Sequence, residues 1–148
     1  MNLTRRSVLA GLPLLFIAGR AEAQAGPAIH VVKTATCGCC GDWITHLRQA
    51  GFRVTVANVA DVTPTARRLG VPDDLRSCHT ALTGGYAVEG HVPAADIRRL
   101  LRERPAAAGI AVPGMPMGSP GMEHGSHRER YNTILFTRAG RRTVFARH

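Results

Sequence analysis

Apolar positions along this chain change period several times, and each change marks an element. Ile29-His30-Val31-Val32-Lys33 is a short β-branched run ending at Thr34-Ala35-Thr36-Cys37-Gly38, which predicts a first strand running into a loop. From Asp42, the spacing of Trp43, Ile44, Leu47 and Ala50 is helical, and Gly51 stands where helices often stop. Phe52 to Asn58 alternates like a half-buried strand. Thr63-Pro64 opens a second helix through Ala66, Arg67 and Leu69, which ends at Gly70 ahead of Pro72. The first half of the chain therefore reads as strand, helix, strand, helix.

The second half begins with His79-Thr80-Ala81-Leu82-Thr83 and Tyr86-Ala87-Val88-Glu89 on either side of Gly84-Gly85, the pattern of a β-hairpin. Pro93 begins a third helix, with Ile97, Leu100 and Leu101 as its apolar stripe and Arg98, Arg99, Arg102 and Arg104 expected to face water; it stops before Pro105. Residues 111 to 127 mix Pro113, Pro116 and Pro120 with Gly114, Gly118, Gly121 and Gly125, which excludes regular structure and predicts a long loop of the kind that is often functional. Tyr131 to Thr137 and Arg142 to Ala146, joined through Ala139-Gly140, predict a terminal hairpin. The expected fold is α/β: a central mixed sheet with flanking helices and an added C-terminal hairpin, without internal repeats.

The N-terminus changes this picture by subtraction. Arg5-Arg6 precede an apolar run from Val8 to Ala18, and Arg20 is followed by Ala21-Glu22-Ala23-Gln24-Ala25, the layout of a secretory signal peptide cut after Ala23 or Ala25. The run is about half of the roughly 20 residues a bilayer-spanning helix needs, and Pro13 interrupts it, so no stable membrane span is expected after cleavage. Thr4-Arg5-Arg6-Ser7-Val8-Leu9 also resembles a twin-arginine export signal, with a general secretory signal as the alternative. Removing residues 1–23 as leader leaves 16 basic and 9 acidic residues, a charge of +7 on one domain spanning 28–148. In an exported, periplasmic protein that charge serves solubility and attraction to anionic surfaces, and nucleic acid is not an expected partner.

Cys37-Gly38-Cys39-Cys40 precedes the first helix, where unsatisfied amide N–H groups and the positive end of the helix dipole favour thiolates. Cys37 and Cys40 alone form a C-x-x-C, the spacing of a reversible disulfide in a redox enzyme. Cys39 changes the problem: three thiolates within four residues repel one another, and bound cations relieve them. Thiolates suit Cu(I) and zinc, whereas magnesium and calcium require oxygen. Zinc usually takes two separated C-x-x-C knuckles, and only Cys78 remains to act as the second, so several Cu(I) ions sharing bridging thiolates fit better than zinc.

Cys78, just ahead of a strand expected to pair near the first, is the candidate fourth sulfur ligand. His79 is a further candidate, although alternation along a strand argues against Cys78 and His79 both meeting one metal. His46 lies seven residues past Cys39, roughly 10 Å further along the helix, too far to share an ion, and suits a partner or packing role beside Trp43. His91 reads as either a turn residue or a partner contact, and His30 as structural. The three methionines of the mature chain, Met115, Met117 and Met122, fall in the Gly/Pro loop and are followed by His124 and His127. Thioethers gathered there are not core filler, and with imidazole they suit copper in both oxidation states.

Cys37-Gly38-Cys39-Cys40-Gly41-Asp42-Trp43, Ser77-Cys78-His79-Thr80-Ala81, Tyr86 to Pro93 and Pro113 to Met122 together resemble the periplasmic copper-resistance family known as CopG, long catalogued as a domain of unknown function. The resemblance runs from about Ile29 to Phe145. It implies a thioredoxin-like fold, with which the order of elements above agrees, and a role in copper handling. It also implies a multinuclear copper site on Cys37, Cys39 and Cys40, with other periplasmic copper proteins as partners. Thioredoxins place a cis-proline opposite their C-x-x-C; here Cys78 holds that place and Pro72 falls six residues too early, which favours metal over disulfide exchange. The resulting expectation is an exported protein that holds copper as Cu(I) for sequestration, delivery or Cu(I)/Cu(II) conversion. The competing expectation is a thiol–disulfide oxidoreductase using Cys37 and Cys40.

Overall fold

The computed structural model describes residues 26–148, so the leader expected over 1–23 and its export signal lie outside the described residues. Strands β1 (Ala28–Lys33), β2 (Arg53–Asn58), β3 (His79–Thr83), β4 (Tyr86–Glu89), β5 (Gly109–Ala111), β6 (Asn132–Phe136) and β7 (Arg142–Arg147) form one sheet in the order β2-β1-β3-β4-β5-β6-β7. The sheet is mixed: β1 runs parallel to β2 and β4 to β5, and the other neighbours are antiparallel. Helices α1 (Gly38–Gln49) and α3 (Ala94–Glu103) cover one face; α2 (Thr63–Arg68) and a 3-10 turn at Asp73–Leu75 cover the other.

Packing explains the assignment. Trp43, Ile44 and Leu47 of α1 and Ile97 and Leu100 of α3 meet Ile29, Val31, Ala81, Val88 and Ile110 from the sheet, while Ala66, Val71 and Leu75 pack on Ala87, Ala111 and Phe136 behind it. Alternate strand residues thus feed two cores, and burying each large side chain contributes about 1.5–3 kcal/mol. Helix α1 ends as its glycine predicts: Gly51 adopts φ +83, its N–H bonds to the Arg48 carbonyl at 2.9 Å, and Phe52 N–H returns to Leu47 at 3.0 Å.

Two expectations need correction. β5 lies between the end of α3 and the loop and was not foreseen; it joins the terminal hairpin to the main sheet, and both faces of its three residues are buried, so no alternation marks it. Gly109 starts it because a Cβ there would stand 2.1 Å from the Ala87 carbonyl oxygen. Arg98 and Arg99 do not simply face water. Arg98 lies over the Phe52 ring and donates to the Ala50 carbonyl, and Arg99 lies over Phe145 and bonds its carbonyl at 2.8 Å. Among the described residues no helix is long and apolar enough to cross a membrane.

Candidate metal centre

β1 delivers the chain through a turn at Ala35-Thr36 to Cys37, the N-cap of α1, which has no side-chain cap bond. Cys39 and Cys40 therefore sit in the first turn, where backbone N–H groups lack intrahelical partners. Cys37 and Cys40 are joined in a disulfide, and Cys39 and Cys78 carry free thiols. Cys39 Sγ lies 3.7 Å from Cys37 Sγ and 3.9 Å from Cys78 Sγ, and all four sulfurs fall within 4.8 Å of one another. The sequence thus located the sulfur cluster, including Cys78, and left open the disulfide that the structure contains.

Cys78 belongs to a second group as well. Its Sγ lies 3.6 Å from His79 Nδ1 and 3.5 Å from His91 Nε2. Alternation does not separate them because β3 begins at His79 and Cys78 lies in a bend just before the strand, so the two side chains reach one point. His91 was missed as a ligand candidate. The diglycine turn pairs Thr80 with Glu89, and counting two residues outward brings residue 78 opposite residue 91, a signal present in the sequence. Gly90, at φ +72 with its Cβ position 2.5 Å from the Val112 carbonyl oxygen, turns the chain there.

Second contacts fix both rings. His79 Nε2–H donates to the Gly90 carbonyl at 2.9 Å, and His91 Nδ1–H donates to the Pro120 carbonyl at 2.8 Å. Since a carbonyl only accepts, each ring must carry its proton on that nitrogen, and in the neutral ring the other nitrogen presents a lone pair to Cys78. Burial keeps both rings neutral: it drives His79 down to about 3, with the neighbouring His91 adding to the effect, and it lowers His91 as well. Burial, followed by the adjacent Cys39, pushes the Cys78 thiol up to about 11, so a soft cation here must displace a firmly held proton. Trp43 closes the inner side, its ring 4.3 Å from that of His79 and its Nε1–H bonded to the Val92 carbonyl at 2.9 Å.

Behind Cys78 lies a carboxylate that the sequence did not single out. Glu89 is fully buried; its Oε1 accepts the Ser77 N–H and its Oε2 accepts the Thr80 hydroxyl, each at 2.6 Å. It thereby holds the residues on either side of Cys78-His79. Burial pushes it up to about 7.

The proline- and glycine-rich loop is tied across the same site. Ser77 Oγ–H donates to the Gly114 carbonyl at 2.9 Å, Pro120 accepts from His91, and Gly121 (φ +85) lies so close that a Cβ would stand 2.9 Å from the Cys39 carbonyl oxygen. Met117 and Met122 on this loop are half-buried and Met115 is half exposed, whereas His124 and His127 are exposed. His46 instead accepts the Ala94 N–H at 3.1 Å and so anchors the start of α3; His30 bonds Thr55 on the outer surface. A cleft of about 290 Å³ opens at the far end of β1 by Ala28, Arg53 and Gly85, and no thiol or thioether lines it.

This donor set suits a soft, thiophilic cation: four sulfurs, two imidazole lone pairs held in place by second contacts, and no carboxylate oxygen in either cluster. A family model described as "Protein of unknown function, DUF411" matches residues 75–122, the stretch from the end of the 3-10 turn through the methionine loop. No curated protein matches the chain. A solved structure titled "Copper resistance protein copG- Form 1" is 52% identical, covering 82% of this chain and 96% of its own, with a TM-score of 0.78. A second, "Copper resistance protein copG- Form 2", is 51% identical, covering 83% and 98%, with a TM-score of 0.79.

Proposed function

We propose, from the premise that this chain belongs to the copper resistance protein copG family, that it is an exported protein holding copper as Cu(I) in a multinuclear thiolate cluster. Its service is copper resistance or homeostasis, by sequestration, delivery or Cu(I)/Cu(II) conversion. The observation that carries this reading is the convergence of Cys37, Cys39, Cys40 and Cys78 within 4.8 Å at the N-terminus of α1. With the disulfide reduced, four thiols this close resist ionising together, and Cu(I) ions shared between them displace the protons and offset the thiolate charge. His79 and His91 supply nitrogen on the Cys78 side. Met115, Met117 and Met122 supply thioethers from the loop tied over the mouth. The unit is a single thioredoxin-like domain over 28–148 behind a leader at 1–23. The order β2-β1-β3-β4, with helices on both faces, supports that fold.

The test is anaerobic Cu(I) titration of the reduced protein against a competing chromophoric chelator, beside a Cys37→Ser, Cys39→Ser, Cys40→Ser variant. The wild type retains several copper ions with its thiols protected from alkylation, and the variant retains fewer and more weakly. Equal retention by both would refute the reading. One observation favours a second reading: the Cys37–Cys40 disulfide is what a thiol–disulfide oxidoreductase carries. That reading requires insulin-reductase activity that survives Cys39→Ser.

A further inference from the structure

Arginines gather at the end of the sheet opposite the cysteines. β1 runs from Ala28 to Lys33 before the turn to Cys37, and its six residues set the two ends about 20 Å apart. At the Ala28 end stand Arg48 near the close of α1, Arg53 at the start of β2, and Arg98, Arg102 and Arg104 along the second half of α3 and at its cap. Two clefts flank the incoming chain there. One of about 210 Å³ lies between Pro27, Arg98, Leu101 and Arg102, and the one of about 290 Å³ lies between Ala28, Arg53, Leu82 and the Gly84-Gly85 turn. They adjoin at Gly84, where a Cβ would stand 2.6 Å from Leu101 Cδ2, and Arg104 Nη1–H donates to the Gly84 carbonyl at 2.8 Å. No carboxylate lines either cleft, and among the described residues none of these five arginines is ion-paired. The neighbouring acid, Glu103, is bonded to Arg99 at 2.8 Å. Exposed Leu82 and half-buried Pro27 and Leu101 stand among the guanidinium groups, a mixture of apolar and basic side chains suited to a bilayer interface.

The path of the N-terminal chain says what this end meets. Arg53 holds the incoming residues: its backbone N–H bonds the Pro27 carbonyl at 3.0 Å and its Nε–H the Gly26 carbonyl at 2.9 Å. The apolar run of the proposed leader ends at Ala18, and the seven residues 19–25 that follow span at most about 25 Å when extended. With that run in a bilayer, the arginine end of the domain lies within this reach of the lipid headgroups. We infer that this end is a docking surface for anionic lipid headgroups, which keeps the protein on the membrane surface after the leader is removed, with the cysteines turned toward the aqueous side. Guanidinium groups bond phosphate oxygens in pairs, and the negative potential of an anionic leaflet attracts them within a Debye length of the surface. The inference stands apart from the copper reading and draws on it only for the leader.

The experiment is co-sedimentation of the exported, leader-cleaved protein with vesicles of phosphatidylglycerol mixed into phosphatidylcholine and with vesicles of phosphatidylcholine alone. Immobilised poly-glutamate replaces the vesicles in a parallel binding assay. An Arg48→Gln, Arg53→Gln, Arg102→Gln variant removes three exposed charges from the docking end. An Arg128→Gln, Arg130→Gln, Arg147→Gln variant removes the same charge from the loop and the end of β7. The wild type sediments with the anionic vesicles but not the neutral ones, and added salt releases it. The first variant binds at least about tenfold more weakly and the second keeps most of the binding. Cys39 reacts with maleimide on the vesicle as fast as in solution. Equal losses in the two variants would assign the attraction to net charge and overturn the inference. A wild type that stays in the supernatant, or that binds neutral vesicles equally well, would overturn it too. Capture by poly-glutamate without vesicle binding would give this end to an acidic protein instead, and shielding of Cys39 on the vesicle would reverse the orientation; either result contradicts the inference.

Discussion

Replacing Glu89 by Gln isolates the energetic cost of the carboxylate behind the site. Burial raises Glu89 from the ordinary 4.5 to about 7 in the folded protein. Between those two values the folded protein keeps the proton and the unfolded chain has released it, so unfolding gives up a proton and rising pH favours the unfolded state. At 1.36 kcal/mol per pH unit, the folded wild type loses about 3 kcal/mol of stability between pH 4.5 and pH 7 on this account, and nothing further above it. Glutamine copies the protonated acid: its carbonyl accepts the Ser77 N–H and its amide donates to Thr80 Oγ1, the two partners Glu89 has at 2.6 Å. His79, lowered from 6.5 to about 3, acts with the opposite sign, adding stability as pH rises up to about 6.5, but it is present in both proteins and cancels in their difference. Urea denaturation of the metal-free, disulfide-bonded proteins at pH 4.5, 6 and 8 provides the measurement. The stability of Glu89→Gln relative to wild type should climb by about 3 kcal/mol across that range. A difference that stays flat, or that falls toward pH 8, would show that Ser77 and Thr80 hold an ionised carboxylate and would refute the argument.

The remaining predictions concern the site directly. Gly121→Ala places a Cβ 2.7 Å from the Trp43 backbone nitrogen and 2.9 Å from the Cys39 carbonyl oxygen at φ +85, so it should cost about 1–3 kcal/mol and lift the methionine loop. Thermal melting and faster alkylation of Cys39 report both effects, and unchanged values of both would contradict the contact. His91→Ala removes the nitrogen 3.5 Å from Cys78 and should weaken Cu(I) retention by about tenfold or more in chelator competition while the protein stays folded; undiminished affinity would remove His91 from the ligand set.

The legible part of this protein is whatever local chemistry announces. Cys37-Gly38-Cys39-Cys40 declares a cluster by crowding alone, and Cys78 follows from its place ahead of a strand that pairs with β1. The hairpin around Gly84-Gly85 and the glycine stop at Gly51 are set by backbone conformations that other residues rarely adopt. What escaped depends on residues distant in sequence. Glu89 reads as an ordinary polar strand position until the sheet closes over it, and β5 is too short and too buried to alternate. Whether Cys78 and His79 share a point depends on a one-residue strand boundary, and such boundaries are the least determined feature of a sequence. His91 becomes a candidate only through the hairpin register, in which Thr80 pairs with Glu89 and the positions two residues further out face each other.

The most direct test of the copper cluster is copper K-edge X-ray absorption on the reduced protein loaded with Cu(I). Sulfur-dominated coordination with a copper–copper scattering path, both weakened in Cys78→Ser, is the result expected of bridging thiolates on Cys37, Cys39, Cys40 and Cys78. Isolated copper ions bound by nitrogen and oxygen, with all four thiols still open to alkylation, would contradict it.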